Sequence, residues 1–201
     1  SGQKIYRNGI LIANDSTAST FTKGSLIFNV GNYDGGASPN IGNLDDLRIY
    51  SRALSASEIQ QLYKLGGGKI NKTDTTRPTL KTGLVGHWTM DGPDVTSTAA
   101  IDKSGSGNNG TRVGGTKVTT GKIGQAMKFD GTSGYLSVPD IPALRLVHPN
   151  PYTISLWAKP TTLKDYGNVL WKSNFPTDGW GIATLANGDW QFQVAPASSN
   201  P

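Results

Sequence analysis

The sequence predicts an all-β protein, an antiparallel jelly-roll β-sandwich with one short surface helix at about residues 54–65. Three observations carry that expectation. The 201 residues include 26 Gly and 11 Pro, more turn content than a helical bundle tolerates. Short apolar runs recur every 8 to 12 residues or so, with turn residues between them. Hydrophobic residues make up 35% of the chain, enough for a real core.

Read in order, "QKIYRNGILI" (3–12) forms two strands around Asn8-Gly9, the strongest short hairpin signal. "SLIFNVG" (25–31) is a buried strand, "NYDGGASPN" (32–40) a loop, and "NLDDLRIY" (43–50) the next strand. In "LSASEIQQLYKLG", Ser55 and Glu58 make an S-x-x-E capping box, Ile59, Leu62 and Tyr63 form one apolar stripe, and Gly66 is expected to stop the helix in a left-handed turn. Residues 66–83, "GGGKINKTDTTRPTLKTG", have no packing period and mark a boundary.

Beyond it, "LVGHW" starts a strand that leads into the polar tract "DGPDVTSTAAIDKSGSGNNGT". So long a tract with few apolar side chains needs something besides a core to order it. The strands "QAMKFD", "YLSVPD", "YTISLWAKP", "GNVLWKS", "GWGIATLAN" and "DWQFQVA" follow, and "PASSNP" ends the chain without a closing element. Because the chain opens on Ser1 inside strand-like sequence, it is expected to be a piece of something longer.

Composition narrows the chemistry. There is no Cys, so disulfides and thiolate metal sites are excluded. The net charge of +5 comes from scattered Lys and Arg without the basic and aromatic stripe of a nucleic-acid surface. The one local excess, at Lys64, Lys69, Lys72, Arg77 and Lys81, suits a solvated linker. No run approaches the roughly 18 apolar residues of a membrane span. Of 14 acids, 13 are Asp and the only Glu is Glu58, already used by the capping box. Asp45 with Asp46, or Asp102 with Asp130, could in principle form an acid–base pair, but a glycan-degrading site needs two carboxyls held at a set spacing. His87 and His148 sit in no triad pattern. An enzyme is therefore not expected.

Strand parity places Asp45 on the inward face with Leu47 and Ile49, and Asp46 and Arg48 on the other. An inward carboxylate needs a cation or N–H donors. Asp91, Asp102, Asn108 and Asn109, with glycine-exposed carbonyls, are hard oxygen ligands of the kind Ca²⁺ takes. With Asp45 they form a candidate structural calcium site; the alternative is that they make only Asx turns and accept backbone N–H bonds. Among the five tryptophans, Trp88 and Trp157 lie in apolar strand contexts and are expected in the core. Trp171, Trp180 and Trp190 lie near turns, and with Tyr166, Asn174 and Asp178 they could line a sugar-binding face. Ordinary sandwich packing is the competing role for each.

The segment "GLVGHWTMDG…IDKSGSGNNGT…GKIGQAMKFDGTSGYLSVP…PYTISLWAKP" (83–160) resembles the beginning of a laminin-G-like jelly-roll domain of the concanavalin A-like lectin/glucanase superfamily, as found in bacterial surface and secreted proteins. "IYRNGILIA…IGNLDDLRIYSRALSASEIQQLY" (5–63) resembles the end of one. The halves appear in reversed order. A tail of one domain (1–66), a linker (67–83) and the front of a second (84–201) is the simplest account; a single permuted sandwich is the rival. The middle strand of the family pattern, with its Trp-His-Val-Ala-like motif, is missing. The resemblance implies a structural Ca²⁺ where the opening loop meets the terminal strand. It also implies a noncatalytic carbohydrate-binding or adhesive module in an extracellular multidomain protein, whose partners would be a glycan or extracellular polymer and other domains of the same chain. A structural spacer repeat is the alternative.

Overall fold

The structure is a computed structural model that describes residues 3–15, 26–32, 41–67, 78–145, 150–174 and 178–194. Most of the expected linker and the "PASSNP" tail lie outside the described residues. The strands are β1 (Gln3–Arg7), β2 (Ile10–Asp15), β3 (Phe28–Val30), β4 (Ile41–Tyr50), β5 (Leu84–Trp88), β6 (Ala99–Ala100) and β7 (Gly110–Val113). They continue with β8 (Lys117–Thr120), β9 (Gln125–Asp130), β10 (Tyr135–Val138), β11 (Thr153–Thr162), β12 (Gly167–Asn174), β13 (Asp178–Thr184) and β14 (Trp190–Val194). One helix, α1 (Ala56–Gly67), follows β4.

Two antiparallel sheets face each other, one ordered β14-β13-β12-β3-β10-β7-β6 and the other β11-β4-β9-β8 with β5 also on β4. The layer between them is apolar. Phe28, Val30, Leu136, Val138, Leu170 and Trp180 from the first sheet meet Leu44, Leu47, Ile49, Trp88, Met127 and Phe129 from the second. All are at most 1% exposed, and each such side chain stabilises the fold by about 1.5–3 kcal/mol. Strands from before and after residues 68–77 share both sheets, with β3 between β12 and β10, and β4 between β11 and β9. Strands from the two parts of the chain thus share one sandwich.

The hairpin forms where Asn8-Gly9 places it. Both residues are left-handed, at φ 53° and 76°, as a type I′ turn requires. Its outer strand β2 is exposed along its whole length. The capping box also forms, with Ser55 N donating to Glu58 Oε2 at 2.9 Å and Glu58 N to Ser55 Oγ at 3.3 Å. Helix α1 lies on the outer face of the smaller sheet, where Leu62 and Leu65 pack with Tyr50, Leu54 and Leu80 in a second apolar cluster. Tyr63 stays 38% exposed and stacks at 5.6 Å on Trp157. Trp157, expected in the main core, lies under the helix instead.

Gly66 does not stop the helix. It is helical, with no positive φ, and the helix runs on to Gly67. Its role is close approach, since a Cβ there would sit 2.4 Å from the Trp157 ring. Helix propensity alone favours Gly66→Ala by about 1 kcal/mol. The overpacking against Trp157 is expected to reverse that sign and cost about 1–3 kcal/mol in chemical denaturation; a more stable variant would contradict the close approach.

Candidate binding site

Asp45 and Asp46 sit where β4 changes neighbours. On one side β11 runs along all of β4; on the other, β9 pairs with Ile41 to Leu44 and β5 with Leu47 to Tyr50. Between Ser155 and Trp157 of β11, β4 advances three residues, from Arg48 back to Asp45. Asp46 supplies the extra residue, in a left-handed conformation at φ 49°. That costs a non-glycine residue about 1–2 kcal/mol and defines a bulge. The bulge corrects the parity expectation. Leu44 and Leu47 both reach the core, so Asp45 does not share the face of Leu47 and Ile49; it lies opposite Trp157 on the helix side, 2% exposed.

Asp45 Oδ2 accepts N–H bonds from Lys122 at 2.7 Å and Ile123 at 2.8 Å. Oδ1 is buried and has no hydrogen-bond partner. Asp91, beyond β5, accepts the Gln125 N–H at 2.7 Å, and Gly92 N–H returns a bond to Gln125 Oε1 at 2.7 Å. The two acids therefore clamp the turn that leads into β9. Burial pushes the Asp45 carboxyl up to about 6; the Ile123 and Lys122 amides oppose the rise, and the charges of Asp46 and Asp91 add to it. Asp46 faces elsewhere: it takes Arg48 Nε and Nη2 and lies 2.8 Å from His87 Nε2.

The other three expected metal ligands are not brought to Asp45. Asp102 Oδ1 accepts the His87 and Ser104 amides, and Oδ2 accepts the Ser104 hydroxyl and the Asn108 amide. Asn109 Oδ1 takes the Asp102 N–H at 2.9 Å, and Asn108 Nδ2 donates to Val85 O at 2.7 Å. This is a self-satisfied Asx network that orders the polar tract with main-chain donors. No three His, Asp or Glu residues gather as metal ligands among the described residues. The expected five-residue ligand set is thus corrected to a pair. Asp45 and Asp91 remain together, and the donorless Asp45 Oδ1 beside a second carboxylate fits a hard cation. The rest of its shell would have to be main-chain carbonyls and water.

The expected aromatic face also divides. Trp180 is 1% exposed and packs on Phe28 at 5.6 Å and Phe192 at 6.3 Å, so it belongs to the interior and cannot stack on a sugar. Trp190 points inward at the sandwich edge, packed against the core. Tyr166, 56% exposed at φ 58°, stands in the turn before β12. Asn174 ends β12 and Asp178 opens β13; their side chains lie outside the described residues.

Trp171 is different. Its neighbours Leu170 and Lys172 point inward, so its ring lies on the outer face of the seven-stranded sheet, over Gly181, where a Cβ would meet the ring at 2.5 Å. Register carries one line across that face. Gln193 pairs with Gly181, Gly181 with Trp171, Trp171 with Asn29, Asn29 with Ser137, and Ser137 with Thr111. The row offers one half-buried indole flanked by amides and hydroxyls. Asn29 Oδ1 has no hydrogen-bond partner.

Residues 1–60 match the sequence model of a family described as Concanavalin A-like lectin/glucanases superfamily, of the Laminin_G_3 type. The match spans the hairpin, β3, β4 and the first turn of α1. Over this segment, under a third of the chain, the sequence is similar to that family. No curated protein and no solved structure matches the chain. The mostly antiparallel sandwich agrees with the concanavalin A-like fold, and laminin-G-like domains are generally noncatalytic and typically extracellular. Among the described residues no helix is long and apolar enough to cross a membrane.

Strand β4 gives the junction a pH signature. Because the folded pKa of Asp45 lies above the ordinary aspartate value of 3.8, the folded chain holds that proton more tightly. Its stabilising contribution is present below about pH 4 and lost as pH rises through about 6. Glu58, held down to about 2 chiefly by its hydrogen bonds from Arg52, acts in the opposite sense and below that window. With a chelator present, the melting temperature of the wild type relative to Asp45→Asn is expected to fall between pH 4 and 6 and level off above 7. A flat difference would contradict the buried, raised carboxyl.

Proposed function

We propose that the chain is a noncatalytic carbohydrate-binding module of an extracellular multidomain protein, and that the Trp171 row is its sugar face. The observation that supports this reading is the register line across the larger sheet. An indole braced over glycine offers a flat apolar surface to a pyranose ring, and Gln193, Ser137 and Thr111 offer donors and acceptors to its hydroxyls, while Asn29 is buried within the row. The acids support it as well, because they hold structural posts. Asp46 is held by Arg48 and His87, Asp94 by Lys103, Asp130 by turn amides, Asp140 by Lys172 and Arg145, and Glu58 by Arg52. The remaining pair, Asp45 and Asp91, is engaged by the amides of the turn into β9.

The test is a glycan array followed by titration of the best binder. Trp171→Ala is expected to weaken binding at least tenfold, about 1.4 kcal/mol, while leaving the melting temperature nearly unchanged. A chain that binds no glycan, or a variant that binds as tightly as wild type, would favour the structural spacer.

We also propose a structural Ca²⁺ held by Asp45 and Asp91, supported by the donorless Asp45 Oδ1. The ion would relieve the burial cost of that carboxylate and tie β4, β5 and the turn before β9 together. Millimolar calcium is expected to raise the melting temperature of the wild type and give binding heat in calorimetry, both absent in Asp45→Asn. Calcium without effect on the wild type would refute the ion.

A further inference from the structure

The sandwich is open along one side. The edge strand of the smaller sheet, β11, pairs only with β4, and the edge strand of the larger sheet, β14, pairs only with β13, among the described strands. Between these two edges, helix α1 and the β1–β2 hairpin runs a groove of about 950 Å³. Ile154, Leu156, Ala158, Ile182, Trp190 and Phe192 pack on the core from one side and stay half-exposed along this opening.

Unpaired strand edges are usually guarded by charge, proline or a bulge. The far end of β11 is guarded, by Lys159 and Pro160. The stretch Thr153 to Ala158 carries no charged residue. Its outward N–H and C=O groups pair with no other described strand and border an apolar floor, which is the geometry of strand addition. The hairpin side of the groove is basic: Lys4 and Arg7 line it, both exposed and neither ion-paired with a described residue, and no Asp or Glu lines it among the described residues.

We propose that this groove is a docking slot for an extended peptide segment of a protein partner, whose apolar residues alternate with acidic ones. The peptide adds a strand to the free edge of β11. Its apolar side chains fill the floor by the two-residue period, and its carboxylates face Lys4 and Arg7. This site is separate from the Trp171 face.

The probe is a synthetic peptide of alternating valine and glutamate, about eight residues long, set against an alternating valine and lysine peptide of equal length. The valine–glutamate peptide is expected to bind in calorimetry and to slow hydrogen exchange at the outward amides of Thr153 to Ala158. The Lys4→Glu/Arg7→Glu variant, altered on the exposed hairpin and checked by circular dichroism, is expected to lose at least about tenfold in affinity. Trp171→Ala is expected to bind the peptide like wild type, which separates this slot from the sugar face. Absence of binding, or equal binding of the lysine peptide, would overturn the proposal. So would a dimer in sedimentation that protects the same amides without peptide, because the occupant would then be a second copy.

Discussion

Strand β4 must serve three partners in ten residues, and the rest of the structure depends on how it does so. Along one side β11 accompanies it throughout, while on the other β9 hands over to β5 between Leu44 and Leu47. A regular strand would put Leu44 and Leu47 on opposite faces, because three residues separate them. The left-handed Asp46 absorbs one residue, and both leucines reach the core. The strain at Asp46 is held by the Arg48 bonds and His87, so the bulge carries its own brace.

The same bulge decides where the acids point. By turning Asp45 away from the sandwich interior, it sets a carboxylate among the ends of three elements: the exit of β5, the turn at Lys122 and Ile123, and the start of β9. Their main-chain amides would otherwise be orphaned in a crowded corner. Asp45 and Asp91 satisfy four such demands between them and their neighbour Gln125. Burial is the main reason Asp45 resists ionisation, and the charges of Asp46 and Asp91 add to it.

Much of the fold was legible because its signals are local. Asn8-Gly9 dictates a turn by the φ values it accepts, and Ser55 with Glu58 caps a helix through contacts three residues apart. The main errors came from features set at a distance. Gly66 resembled a helix stop, but only the position of Trp157, on a strand nearly a hundred residues later, reveals that it is a contact glycine. Asp45 was assigned to the wrong face because period-two reasoning assumes an unbroken strand; the tolerance of Asp for left-handed backbone was the one available hint at Asp46. Trp180 sits beside a turn in sequence yet deep in the core in space. The Trp171 row went unseen because its members lie on six strands and only register aligns them.

Strand β14 joins the two proposed surfaces. Its outward residues Gln191 and Gln193 are hydrogen-bonded to each other on the Trp171 face, while Trp190 and Phe192 border the groove on the inward side. It is an edge strand, bonded only to β13 among the described strands. Peptide in the groove would pack on Trp190 and Phe192 and so fix β14 from beneath. Ordering it would hold Gln193 at the end of the sugar row at no further conformational cost to the sugar. Were both proposed ligands to bind and each to order β14, linkage would make them favour each other.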